Sequence, residues 1–281
     1  HTPTRRQRQM CIRDRAYAGQ GLGVLIMAPL SQISIDHFGW QLSYKYISYV
    51  FIALLIFVSF LPWKKISSGS KNNPRKTKDG RAVGGVSLKE AIQTKTFWGF
   101  FFIFCFTAIG IFGISLHVVA YLVFVGLSEV EAAFSFGIAG ILNFVGMVLT
   151  GLAADRYPRH LVATVSYGLS FMAIFSLAFM QVNSSNIFLV LFIFGFGLSA
   201  GARGPIITTL MAEIFAGKGL ASIYGATNLG QGVGAAAGAI LAGFLFDLTG
   251  GYNFGFILCS IFTFLGALLF WIIPQIRYAK V

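Results

Sequence analysis

Two ionisable side chains, Arg203 and His117, fall deep inside long apolar runs of this 281-residue chain. An ionisable group in such surroundings is costly, which makes each a candidate for function. An arginine fork presents parallel donors that suit a carboxylate bidentately. Arg203 could equally tie the Gly201–Pro205 kink to backbone carbonyls, or pair with Glu213. His117 has Tyr121 one turn on, and the i, i+4 spacing puts both on one helix face. That histidine could carry a proton, hydrogen-bond an anion, or sit as a satisfied polar group between helices. Asn143, Asn228 and Gln231 complete the candidate binding set, although a single amide in an apolar helix often serves only to join helices. No clustered carboxylates, metal set or nucleophile with a base accompanies them, so an enzyme is not expected. No P-loop is present, so ATP use is not expected, and no cofactor or metal is predicted.

The elements that hold these residues are apolar helices. The chain has 21 Lys+Arg, 9 Asp+Glu, 56% hydrophobic residues and 33 glycines. Charged residues are 11% against about 25% in soluble domains, and mean hydropathy is +0.77. A soluble enzyme and a disordered chain are excluded. The net charge of +12 lies in short blocks between apolar runs, so nucleic acid is not an expected partner. Cys11, Cys105 and Cys259 are too few and too dispersed for a disulfide framework or a zinc site. Residues 1–15, HTPTRRQRQMCIRDR, have no apolar core. They read as a non-native leader resembling adapter read-through, the alternative being a basic arm near anionic lipid.

A membrane helix needs about 20 apolar residues. Eight spans are expected: 16–35, 46–63, 97–124, 132–154, 161–180, 187–212, 219–246 and 252–273. A polar turn, Gln181 to Asn186, separates the fifth and sixth. Loops 64–95, 155–159, 213–218 and the tail 274–281 carry fourteen Lys/Arg; the alternate loops 36–45, 125–131, 181–186 and 247–251 carry only Lys45. The positive-inside rule puts the first set, and the C-terminus, in the cytoplasm. Trp40, Trp63, Trp98 and Trp271 fall at span ends, as an interfacial belt requires. Loop 64–95 reads as a flexible cytoplasmic linker, and Ser87 with Glu90 forms a capping-box pattern for a short helix before the third span.

The sequence also repeats itself at an offset of 211. Gly19-Gln20-Gly21-Leu22-Gly23 recurs as Gly230-Gln231-Gly232-Val233-Gly234, and Ala28, Leu30, Asp36 and Gly39 recur as Ala239, Leu241, Asp247 and Gly250. Both copies start on the same side and are followed by one more span, which indicates parallel halves. The second copy is the fifth of six spans after the linker. The first copy is then also a fifth span, and a parent of twelve spans is expected, with four preceding residue 16. Gly230, Gly234 and Gly238 form a small-xxx-small face for close helix packing, on which one bundle could rock against another.

A parallel 6+6 repeat with a long basic central loop resembles the major facilitator superfamily. Gly151-Leu152-Ala153-Ala154-Asp155-Arg156-Tyr157-Pro158-Arg159 resembles its G-x-x-x-D-R-x-G-R loop signature, with Pro158 in place of a glycine. His117 to Leu122 through Gly126-Leu127-Ser128, Gly201 to Pro205, and Phe246 to Tyr252 are similar to the monocarboxylate-porter and oxalate/formate-antiporter branch. The resemblance implies an all-α membrane protein, a helical bundle with eight of twelve transmembrane helices. These would be the last two of the N-terminal half, over 16–63, the linker 64–95, all six of the C-terminal half, over 96–275, and a cytoplasmic tail, 276–281. It implies a secondary carrier for a small solute such as a monocarboxylate, with a proton or counter-anion, working by alternating access as a monomer in the plasma (inner) membrane. Gly151, Asp155, Arg156 and Arg159 would form a conformational latch, the alternative being a loop that only sets topology. Two rival functions remain: an exporter of drugs or other small molecules with the same architecture, and a non-transporting sensor.

Overall fold

The computed structural model describes residues 5–62, 86–180, 186–217 and 219–277, and every regular element among them is helical. Residues 1–4, Trp63, the linker over 64–85, residues 181–185, Lys218 and residues 278–281 lie outside the described residues.

Helix α1 (Arg5–Ser59) runs through both of the first two expected spans. The loop expected over 36–45 reduces to one residue, Gly39, at φ 74° and ψ 159°. Glycine reaches positive φ without steric cost, so the chain turns there while helical hydrogen bonding resumes beyond it. The Ser34 hydroxyl donates to Ser43 Oγ at 2.9 Å, and Ser43 donates to Gly39 O at 2.9 Å. A straight helix would separate residues nine apart by about 13.5 Å, so α1 bends sharply at Gly39. Residues 5–15 continue α1 without a break.

The remaining elements are α2 (Leu88–Ile92), α3 (Lys95–Ser115), α4 (Val118–Phe124), α5 (Glu129–Ala154), α6 (Arg159–Met180), α7 (Asn186–Ala200), α8 (Arg203–Ile214), α9 (Leu220–Thr249), α10 (Asn253–Ile272) and α11 (Pro274–Arg277). Local chemistry sets their starts. Ser87 Oγ accepts from Glu90 N, while Glu90 Oε2 accepts from Ser87 N at 3.0 Å, closing the capping box that opens α2. Thr94 Oγ1 accepts from Phe97 N at 3.2 Å and opens α3. A second capping box, Ser128 with Glu131, opens α5. Gly250, at φ 67°, ends α9 in the left-handed conformation.

Six helices among the described residues are long and apolar enough to cross a membrane. Eight expected spans become six such helices for two reasons. The first two spans share α1. The sixth, 187–212, is divided at Gly201-Ala202 into α7 and α8, of 15 and 12 residues, each shorter than a full crossing.

Helix α9 packs most extensively on α3, α5 on α1, and α7 between α5 and α6. The α3–α9 contact is backbone against backbone. A Cβ placed at Gly230, Gly234 or Gly238 would lie 2.4, 2.1 and 2.6 Å from the carbonyl oxygens of Phe101, Cys105 and Ile109. The three glycines thus step along α9 in register with three residues, four apart, on α3. The interior holds two apolar clusters. One, with Phe97, Phe100, Leu210 and Phe270, fills the end near Asp155; the other, with Tyr121, Leu177, Phe192 and Phe256, fills the end near Gly126.

Candidate functional site

A polar seam crosses the bundle between these clusters. Arg203 opens α8 directly after the Gly201-Ala202 break and is 2% exposed. Its guanidinium lies 4.2 Å from the centroid of the Tyr167 ring on α6. Its Nη2 donates to Ser170 Oγ, and Ser170 in turn donates to Ser199 Oγ on α7 at 2.8 Å. The Tyr167 hydroxyl pairs with Thr107 Oγ1 on α3 at 2.6 Å. Four helices thus contribute to one polar layer, and Thr263 of α10 lines the same small cavity as Arg203, Ser170 and Gly110.

Arg203 Nε and Nη1 are buried and have no hydrogen-bond partner. No carboxylate pairs with Arg203 among the described residues; Glu213, considered above as its partner, instead takes Arg159. Leaving such donors unmade costs free energy, which an anion at this point would recover. Thr263, 1% exposed, adds a hydroxyl to the cavity wall. The cavity holds about one water molecule in this arrangement. Any larger ligand therefore requires the surrounding helices to move.

His117 and Tyr121 do not join this layer. His117 stands at the break between α3 and α4, and its Nε2 lies 3.0 Å from Ala239 O on α9. Its ring also faces Gly243, where an added Cβ would lie 3.4 Å from Cε1. Tyr121 is fully buried and donates to Leu177 O on α6. The two residues therefore reach from one helix face to different neighbours. Asn143 packs on the α7–α8 break, with Oδ1 1.8 Å from the Cβ position of Gly201, so a larger residue there would displace the Asn143 side chain. Asn228 has a buried Oδ1 without a partner, and Gln231 is exposed on α9.

At the other end of α6, Arg159 forms a two-point ion pair with Glu213 near the end of α8; Nη2 donates to Oε1 at 2.8 Å and Nη1 to Oε2. The side chains are 9% and 29% exposed. Asp155 is the exposed C-cap of α5, and its carboxylate forms no ion pair among the described residues. Arg156 is exposed, and Gly151 lies inside α5.

The seam residues Thr107, Tyr167, Ser170, Ser199 and Thr263 were not singled out from sequence. One signal was available: Ser166 and Ser170 lie one turn apart in an apolar helix, and small hydroxyls in membrane helices turn inward to partners. Thr107 and Thr263 carry no such pattern.

Comparison with known proteins agrees with this architecture. The chain is 26% identical to monocarboxylate transporter 13 of Rattus norvegicus over 266 residues, covering 93% of this chain and 59% of that protein. It is 24% identical to monocarboxylate transporter 12 of Mus musculus over 295 residues, covering 94% and 60%. It is also 24% identical to an uncharacterized MFS-type transporter of Bacillus subtilis (strain 168) over 253 residues, covering 88% and 60%. The chain thus spans about three-fifths of the length of the curated relatives it matches. Residues 15–229 match the Major Facilitator Superfamily profile, and with a bundle of apolar, membrane-length helices behind that match, the chain is a multi-pass membrane protein that belongs to the major facilitator superfamily.

Proposed function

We propose that this chain is the larger part of a secondary carrier that moves a small organic anion, such as a monocarboxylate, by alternating access. The observation that carries the reading is the pair of open donors on buried Arg203. Nε and Nη1 lie on different edges of the guanidinium, and a carboxylate that accepts from one of them also supplies the counter-charge that the site lacks. The names of the relatives, two of them monocarboxylate transporters, support the same substrate class. Under this reading 16–63 supplies the last two helices of one bundle and 96–275 the six helices of the other. Substrate enters when the helices around Arg203 part, and a proton or counter-anion moves with it or against it. His117 contributes from the α3–α4 break, where its bond to Ala239 O ties that break to the glycine-lined helix α9. Tyr121, Asn143, Asn228 and Gln231 act around it as secondary contacts.

The 151–159 segment acts as a latch through Arg159, whose ion pair with Glu213 ties α6 to α8 and must break for those helices to separate. The excess of basic residues on alternate loops supports a cytoplasmic C-terminus in the plasma (inner) membrane, with a monomer as the working unit. Uptake of a labelled short-chain monocarboxylate by cells expressing the full-length protein tests the reading. Arg203→Gln should lower uptake at least tenfold at equal surface expression, and Arg203→Lys should restore part of it. Unchanged uptake in Arg203→Gln removes Arg203 from the site.

A further inference from the structure

We propose that in the closed arrangement Arg203 holds a monatomic halide of chloride size, an inference that rests on the anion-site reading of the same residue. The guanidinium stays protonated, and it lies 2% exposed with no carboxylate partner among the described residues. The Tyr167 ring and the Ser170 hydroxyl offer dipoles to it, but no compensating charge. A buried charge without a counter-charge is strongly unfavourable, and a water molecule filling the cavity would leave it so.

The cavity limits the counter-ion by size and lining. It has room for about one water-sized body, which excludes an organic acid with its carbon skeleton. Arg203 Nε and Nη1 are open on different edges of the guanidinium, so one ion takes one of them, and Thr263 lines the same cavity with a hydroxyl. Ile111, Ile174 and Phe196 make the rest of the wall apolar. Few donors and an apolar wall suit a monovalent, weakly hydrated ion better than sulfate or phosphate, which need many more donors. Helix α8 begins at Arg203 behind Ala202, which provides no side-chain cap, so the positive end of its dipole adds to the same point. Chloride thus neutralises the site until the helices part, and the carboxylate of the substrate displaces it.

Thermal unfolding of the full-length protein in detergent tests this, in sodium chloride against sodium methanesulfonate at equal ionic strength. Chloride should raise the midpoint saturably by about 3 °C or more, with bromide acting alike. Arg203→Gln should abolish the halide dependence. Thr263→Val keeps the charge and removes one donor, so it should raise the half-saturating chloride concentration at least threefold, and it serves if Arg203→Gln does not fold. Equal midpoints in the two salts for the unsubstituted protein overturn the proposal, as does an unchanged half-saturation in Thr263→Val. The two readings of Arg203 fail separately. If chloride has no effect but Arg203→Gln abolishes uptake, the halide inference alone is wrong. If halide binding follows Arg203 but Arg203→Gln transports normally, the substrate reading alone is wrong.

Discussion

Replacing Gly234 with alanine should loosen the protein more than any other single methyl added to α9. The added Cβ would lie 2.1 Å from Cys105 O and 2.8 and 2.9 Å from Cys105 C and Cα. All three are backbone atoms, so no side chain can rotate aside, and α3 and α9 must move apart by about 1 Å to restore contact distance. Overpacking of this kind costs about 1–3 kcal/mol, and the upper end applies where backbone must shift. Alanine returns about 1 kcal/mol through better helix propensity, leaving a net loss of about 2 kcal/mol. Gly232 on the same helix is exposed, with nothing within 4 Å of its Cβ position. Gly232→Ala should therefore be neutral or stabilising by up to about 1 kcal/mol. The difference between the two variants, about 3 kcal/mol, corresponds to roughly 3–5 °C in midpoint for a chain of this length or longer. The assay is thermal unfolding of the purified full-length protein in one detergent. Gly230→Ala and Gly238→Ala should fall between the two, since their contacts are 2.4 and 2.6 Å. Midpoints of Gly234→Ala and Gly232→Ala within 2 °C of each other would refute backbone contact along this ladder.

Other expectations follow from single contacts. A double-mutant cycle of Arg159→Ala and Glu213→Ala should give a coupling of about 1–2 kcal/mol by unfolding, since the pair is bidentate and partly shielded; a coupling near zero would make the pair incidental. Gly39→Ala should destabilise by about 1–2 kcal/mol, because alanine at φ 74° is strained, and an unchanged midpoint would mean that α1 does not need this bend. Ser87→Ala should cost about 1 kcal/mol through loss of the capping box that opens α2, measured against Ser87→Asp, which keeps an acceptor. Tyr167→Phe should cost about 1 kcal/mol for the bond to Thr107 while retaining the ring beneath Arg203. Tyr167→Leu should cost more, and equal losses would deny the ring contact a role.

The helical membrane architecture was legible because charge avoidance over about 20 residues is a strong, local signal. The limits of that signal appear at two places. Over 36–45 the charged and aromatic residues read as a loop, yet the backbone leaves the helix only at Gly39, since nothing else there opposes helix formation. At Gly201-Ala202 a kink was legible from the glycine and Pro205, but not the full division into α7 and α8. The capping box at Ser87 is readable in the sequence, and the structure adds an equivalent one at Ser128 with Glu131. At the site, Arg203 stood out because a cation in an apolar run is rare. Tyr167, Ser170, Thr107 and Thr263 did not, because hydroxyls are common in such runs and only packing of distant helices brings them to one layer. The Glu213 partnership went to Arg159 rather than Arg203 for a geometric reason: Glu213 sits ten residues along α8, about 15 Å from Arg203, at the end where α6 begins.

Counterflow in proteoliposomes containing only the purified full-length protein tests the central claim most directly. Vesicles loaded with an unlabelled short-chain monocarboxylate should transiently accumulate the labelled compound, and Arg203→Gln vesicles should accumulate at least tenfold less. Absence of counterflow with every monocarboxylate tried, together with movement of a lipophilic cation, would contradict an anion carrier and support an exporter built on the same fold.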